Sequence, residues 1–383
     1  MSSPGITASL AAWMPRLIAA YRKARKTSGP ADRLTPQELD SVARGVRHLS
    51  EGLTRGRRLV SAGYMDDPAL LGAYLLYFWP VSYVQARIVL DAPGARPRSA
   101  LDLAAGPGPM AMAALDAGAS DVMALDRSTK ALELAGVLAG LVGNGVSTRA
   151  WNPQAGDALP GGGLAWSLVT MGHGLNELWA DEPDRIDRRA ALLTGIAGRL
   201  RKGGSLVVIE PALRTTTREL LAVRDRLVAG GLAVRAPCLF RGPCPALQRE
   251  VDWCHAEKPW TPPPALAEII GAAGLHKEAL KMAYLVVAPP GESWAEPPPG
   301  RVLRVVSERF AGHGRERLIG CGPEGRVPVA RSEALRSADN AGFDGLVRGD
   351  LFALDGAEPA MEGDGLRVVA ATRVRRLEGV RER

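Results

Sequence analysis

Asp102, Gly106, Gly108 and Asp126 have the types and spacing of a single chemical unit, within SALDLAAGPGPMAMAALDAGASDVMALD at residues 99–126. Ala100 to Ala104 predicts a buried strand, and Gly106-Pro107-Gly108 a turn. Met110 to Ala117 predicts a helix, and Val122 to Leu125 a second strand ending at Asp126. A strand–turn–helix–strand unit leaves backbone N–H groups free at the helix start, beside a crevice at the carboxyl ends of the strands. Asp126 stands where a carboxylate can accept both hydroxyls of a ribose. With Ala104, Gly106 and Gly108 lining the turn, the unit predicts a site for a nucleoside-containing cofactor.

Gly106-x-Gly108-x-x-Ala111 also satisfies the dinucleotide fingerprint, so a dehydrogenase-like fold is the alternative. Asp102 argues for S-adenosylmethionine (SAM). Inside the first strand, four residues before Gly106, its carboxylate can reach the ammonium group of the methionine part. A dinucleotide site instead offers bare N–H groups and a helix N-terminus to a pyrophosphate, which an acid there would repel. Leu200 to Pro211, LRKGGSLVVIEP, resembles the helix-end and fifth-strand passage of class I methyltransferases. That resemblance implies a Rossmann-like α/β core. It also gives Asp157, after a weak strand near Thr148 to Trp151, the place of the acid that meets the adenine amino group.

The four cysteines form the second constellation: Cys238, Cys244, Cys254 and Cys321. Three of them share a 17-residue irregular loop that Pro237, Pro243 and Pro245 stiffen, which lowers the ordering cost of holding ligands in place. Cys321 lies between Gly320 and Gly322, at a predicted hairpin turn where missing side chains leave room for an ion. Arg241 and Arg249 are candidates to offset the charge of four thiolates. So few cysteines in 383 residues do not make a secreted disulfide scaffold. Their spacing leaves tetrahedral zinc and an iron–sulfur cluster equally open.

The elements that must position these residues read as follows. Leu10, Trp13, Leu17, Ile18 and Tyr21 keep an i, i+3, i+4 stripe that predicts a first helix. With no acid before Asp32, this segment also has the look of a mitochondrial transit peptide. Thr35-Pro36-Gln37-Glu38 predicts a helix start, and Asp67-Pro68 another. Residues 1–61 hold 11 Lys and Arg against 4 Asp and Glu, so they carry the whole net charge of +7. That block points to a polyanion, RNA above all, or alternatively to a solvated helical face. No apolar run reaches the roughly 18 residues that span a bilayer, so no membrane partner is expected. The organisation predicted is an N-terminal helical domain (1–95), a core (96–290) with a Cys-rich insertion (237–264), and a small barrel-like all-β module (301–383) beyond the proline-rich linker Pro289–Gly300.

Leu101-Asp102 with Gly106-Pro107-Gly108, Leu175-Asn176-Glu177-Leu178, Glu210-Pro211, Pro237-Cys238, Cys244-Pro245 and Asp252-Trp253-Cys254-His255 occur in that order after a helical N-terminus. This resembles the mitochondrial small-subunit ribosomal methyltransferase-like assembly factors and their bacterial relatives. The resemblance implies a [4Fe–4S] cluster on Cys238, Cys244, Cys254 and Cys321, and action on the small ribosomal subunit near its rRNA. It further implies a monomer in the bacterial cytoplasm or, alternatively, the mitochondrial matrix. Leu239-Phe240 stands where the family usually has a proline and a histidine, and Ala256 where it has an aromatic. At the end of the fourth strand, Asn176 and Glu177 are the candidates to orient a base or accept a proton. The other role open to them is to cap the next helix. A SAM-dependent rRNA methyltransferase and a non-catalytic assembly factor of the same fold both remain open.

Overall fold

Leu10, Trp13, Leu17, Ile18 and Tyr21 are all buried on α1 (Pro4–Arg25), so the predicted stripe faces a core. The structure, a computed structural model, describes residues 4–55, 59, 63–91, 97–143, 145–160, 165–294, 296–361 and 363–377. α2 (Pro36–Ser50) opens with the expected capping box: the Thr35 side chain accepts the Glu38 amide, and Glu38 accepts the Thr35 amide. Glu38 also binds Arg22 of α1 at 2.7 Å, which holds the Glu38 carboxyl down at about 2. Arg22 is buried and also donates to the carbonyls of Pro30 and Arg33. One of the N-terminal cations is therefore consumed internally.

α3 (Pro68–Ala73) starts at the Asp67 cap and passes through a π turn, Tyr74–Phe78, into α4 (Trp79–Leu90). The Trp79 ring lies 5.2 Å from Trp13 and 5.3 Å from Tyr83. Its indole N–H donates to the Pro107 carbonyl at 3.0 Å, so the helical segment holds the glycine turn directly.

The core then alternates: β1 (Ser99–Leu103), α5 (Pro109–Asp116), β2 (Asp121–Asp126), α6 (Thr129–Leu141), β3 (Val146–Ala150), β4 (Trp166–Gly172), α7 (Arg185–Ala197) and β5 (Leu200–Pro211). These strands lie in the order β3-β2-β1-β4-β5, every pair parallel. Strand order reverses between β1 and β4, the place where such sheets open a crevice at their carboxyl ends. This is a Rossmann-like arrangement, as the sequence predicts for the core.

α8 (Arg214–Ala229), β6 (Val234–Ala236) and β7 (Ala256–Pro259) follow, then α9 (Pro264–Ala272) and β8 (Ala279–Val287). Two of these depart from the sequence reading. β7 gives the Cys-rich insertion a short strand, and α9 fills a stretch to which no element was assigned. Pro264 opens α9 at its first position, where proline is favoured, and Leu266, Ile269 and Ile270 make its buried face.

The remaining strands are β9 (Arg301–Val305), β10 (Phe310–Gly312), β11 (Arg315–Gly322), β12 (Gly325–Ser332), β13 (Leu351–Asp355), β14 (Glu358–Pro359), β15 (Leu366–Val368) and β16 (Arg373–Leu377). Their order is β14-β15-β12-β11-β9-β13-β16, with β10 on β11. Among the described residues the terminal strands β14 and β16 do not pair, so hydrogen bonding leaves the expected barrel open. Leu303, Leu318, Phe343, Phe352 and Val374 are at its core. No described helix is long and apolar enough to cross a membrane.

Two compact units result. Among the described residues, the first lies within 4–91, 97–210 and 259–280, and the second within 211–258 and 281–377. The N-terminal helices thus share a unit with the parallel sheet, and the Cys-rich stretch shares one with the C-terminal strands.

Candidate cofactor site and cysteine cluster

In the first unit, β1 ends in a turn that only special backbone conformations allow: φ is 52° at Ala104, 52° at Gly106 and 76° at Gly108. A Cβ on Gly108 would also press on Ala135 of α6 at 3.2 Å. Asp126, at the end of β2, secures this turn: its Oδ2 accepts the Gly106 amide and its Oδ1 the Ser128 amide, both at 2.8 Å. Each oxygen keeps lone-pair capacity for a second donor. Asp102 is buried in β1, with Oδ1 accepting from Thr170 at 2.8 Å and Oδ2 from the Ala111 amide at 3.0 Å. Burial outweighs these bonds and pushes its carboxyl up to about 7. Asp157 is exposed beyond β3, where its Oδ2 accepts the Asn152 amide at 2.8 Å.

Asn176 and Glu177 lie in a 3-10 turn after β4 and do not cap α7, whose N-cap is Asp184. Asn176 serves the loop: its Nδ2 donates to the His173 carbonyl at 2.9 Å and its carbonyl accepts from Arg189 at 3.0 Å. Glu177 is half-buried, with Oε1 accepting from Tyr64 at 3.3 Å and Oε2 lying 3.7 Å from Arg127. The turn is pressed against the cofactor side. A side chain on Gly174 would collide with the Ala104 Cβ, and one on Gly172 with the sulfur of Met110.

Sequence reasoning missed two groups here. Tyr64 reaches Glu177 from a short turn ahead of α3, without any motif of its own. Its neighbour Asp66 accepts the Ser128 hydroxyl at 2.7 Å. Glu210 was legible only as part of Glu210-Pro211. It is buried at the end of β5, where Oε1 accepts the Asn176 amide at 3.4 Å and Oε2 has no hydrogen-bond partner. Burial, partly opposed by Arg189, pushes its carboxyl up to about 8.

All four cysteines belong to the second unit. α8 holds their loop. Arg218 donates to the carbonyls of Ala246, Arg249 and Asp252 at 2.8, 2.8 and 2.6 Å. Arg224 donates to those of Phe240 and Gly242, and both oxygens of Asp225 accept the Cys244 amide. Arg326 ties the same loop to β12 through Asp252 (2.7 Å) and the Trp253 carbonyl (2.8 Å). Cys321 ends β11 next to a tight turn, as expected, but its flanking glycines make room for Leu303, not for an ion.

The thiols lie within electrostatic reach of one another. Burial pushes Cys244 up to about 12, and Cys238 adds to this. Burial, with Cys238, Cys254 and Cys244 next to it, raises Cys321 further. Among the described residues, no three His, Cys, Asp or Glu side chains stand close enough together to hold a metal ion. Arg241 and Arg249 are exposed. The cations within electrostatic reach of the thiols are Arg304 of β9 and Arg224 of α8 for Cys238, and Arg326 of β12 for Cys321. The signal of Arg304 in the sequence was a lone charge in the strand Val302-Leu303-Arg304-Val305-Val306.

Comparison with known proteins places these sites in context. No curated protein matches the sequence. Among solved structures, the chain is similar to a ribosomal protein L11 methylase from Lactobacillus delbrueckii subsp. bulgaricus, at 13% identity over 55% of this chain and 79% of that one, with a TM-score of 0.33. It is also similar to an S-adenosylmethionine-dependent methyltransferase from Clostridium acetobutylicum, at 11% identity over 64% of this chain and 97% of that one, with a TM-score of 0.36. The family described as mitochondrial small ribosomal subunit Rsm22 matches residues 71–314, which include the glycine turn, Glu177, Glu210 and three of the four cysteines. With more than half of its length matched, the chain belongs to the mitochondrial small ribosomal subunit Rsm22 family.

Proposed function

We propose that this chain is a SAM-dependent methyltransferase-like factor acting on small-subunit rRNA during ribosome assembly, with one [4Fe–4S] cluster on Cys238, Cys244, Cys254 and Cys321. The observation that carries the reading is the meeting of Asp102, the Gly106–Gly108 turn and Asp126 beside the strand-order reversal. SAM supplies a methyl group when bound. Asp126 accepts the ribose hydroxyls, Asp102 faces the methionine ammonium, Ala104, Gly106 and Gly108 admit the cofactor's backbone-close approach, and Asp157 takes the adenine amino group. Glu177, held by Tyr64 and Arg127, orients the acceptor base. The family's name supports the small ribosomal subunit as partner, and exposed Lys23, Lys26 and Arg33 offer phosphate contacts. The mitochondrial matrix, or the cytoplasm of a bacterium, is the matching compartment.

Donor chemistry and charge support the cluster. Four thiols share one unit with a buried guanidinium that has no carboxylate bonded to it and that lies near Cys238, Cys254 and Cys321, which suits a net-negative thiolate set. Zinc is the alternative on the same donors. A non-catalytic assembly factor is the second reading, favoured by the way Asn176 is used up inside its own loop and Glu177 is engaged by Tyr64 and Arg127.

Sequencing-based mapping of rRNA methylation in a deletion strain tests the enzyme reading. One small-subunit site should lose its methyl group and regain it with the wild-type chain, but not with Asp126→Ala. An unchanged methylation map together with a subunit-assembly defect selects the non-catalytic factor.

A further inference from the structure

Arg304 is one of the most completely buried charges in the chain, at 2% exposure. Its Nε and Nη1 have no hydrogen-bond partner, and no carboxylate forms an ion pair with it among the described residues. Asp350, beside its cross-strand neighbour Leu351, is engaged elsewhere: it binds Lys258 and Arg376 and accepts the Val347 amide. A bare buried cation of this kind is strongly unfavourable unless some negative group compensates it.

The surroundings of Arg304 name that group. In the β9–β11 ladder Arg304 stands directly opposite Cys321, and in the β11–β12 ladder Cys321 stands opposite Arg326. Side chains so paired lie on one face of the sheet, about 4.5–5.5 Å apart at Cβ. Cys321 therefore has an arginine as cross-strand neighbour on each side. Arg326 has its carboxylate, Asp252, and Arg224, which also reaches Cys238, has Asp225, while Arg304 has the sulfurs of Cys238 and Cys254 within electrostatic reach. The face of Tyr284, 5.7 Å from the guanidinium carbon, adds only a weak attraction.

We propose that Arg304 is the built-in counter-charge of the four-cysteine site, a positioning residue that stands opposite Cys321 and balances the negative charge the thiolates carry once metal is bound. The assignment rests on the metal reading proposed above. It is separate from ligation, because Arg304 contributes no ligand atom. Hydrogen-bonded groups around a metal's ligands commonly set its retention.

Full-length wild type, Arg304→Met and Arg304→Lys, purified anaerobically, test it by iron, sulfide and zinc content and by the rate of metal loss to a chelator. Arg304→Met should lose metal roughly 10–100-fold faster than wild type, the range seen when outer-shell partners are removed. Arg304→Lys, which keeps the charge and loses the fork, should fall between. A thermal-stability cycle covers the case in which the Met variant holds too little metal to follow. Arg304→Met should destabilise the wild-type chain but stabilise a Cys238→Ala/Cys254→Ala chain, where the guanidinium has lost its partners. Equal metal retention in wild type and both variants, or the same loss of stability in both backgrounds, overturns the assignment while leaving the metal reading intact. A wild type holding neither iron nor zinc overturns both.

Discussion

Asp126 Oδ2 accepts the backbone N–H of Gly106 at 2.8 Å, tying the end of β2 to the first glycine of the turn after β1. The same carboxylate proposed for the ribose thus shapes the turn proposed to receive the rest of the cofactor. Charge-assisted hydrogen bonds of this kind contribute about 1.5–3 kcal/mol each. Asp126→Ala should weaken binding of SAM or its demethylated product at least tenfold by calorimetry, and Asp126→Asn by less. Unchanged affinity would remove Asp126 from the site.

Glu210 gives a pH prediction. Its folded carboxyl titrates at about 8, above the ordinary 4.5, because burial favours the neutral acid. The folded state then binds the extra proton between those values, so this contribution is complete below pH 4.5 and is lost as pH rises through about 8. Asp102, at about 7, acts in the same direction. Melting temperature should fall from pH 5 to 8, and Glu210→Gln, neutral throughout, should flatten part of that fall. A variant with the wild-type pH profile would show that Glu210 ionises freely.

Several cations of the basic N-terminus are engaged internally, which leaves its net charge unchanged but fewer of them free for a partner. Arg22 is locked to Glu38, Arg44 pairs with Asp40, and Arg47 donates to the Ala272 carbonyl at 2.9 Å. Reversing exposed Lys23, Lys26 and Arg33 to Glu should weaken binding to small-subunit rRNA and flatten its dependence on salt, since each lost phosphate contact lowers the slope by about one. An unchanged slope would make this segment a solvated face.

Cys321→Ser should lower iron content in anaerobically purified protein and reduce the brown absorbance near ~400 nm expected of a thiolate-bound cluster. The C-terminal strands have a second hold on the Cys-rich loop through Arg326 and Asp252. Limited proteolysis between Pro289 and Gly300 should therefore rise modestly in Cys321→Ser and sharply once Arg326→Ala is added. A single variant cleaved as fast as the double would assign the whole joint to the metal.

The glycine turn, Asp126 and the parallel core were legible because their signals are local: a strand, a turn and a helix start within 28 residues. The capping box at Thr35 and Glu38 was legible for the same reason. Tyr64, Glu210 and Arg304 were not, because each acquires its meaning from a partner far along the chain. Arg304 gains its role only when β9 is laid against β11. Arg241 and Arg249 drew attention by proximity in sequence, yet the loop turns both outward. α9 escaped notice because its apolar residues follow a proline cluster that reads as irregular chain.

Gly172 and Gly174 have a consequence for how this protein can change over evolution. Neither position has room for a methyl group, because Met110 and Ala104 fill the space. The turn after β1 and the loop that carries Glu177 thus pack directly against each other. A substitution that reshapes one side must be answered on the other. Tyr64 and Arg127, which touch Glu177 but crowd neither glycine, are the freer positions to vary.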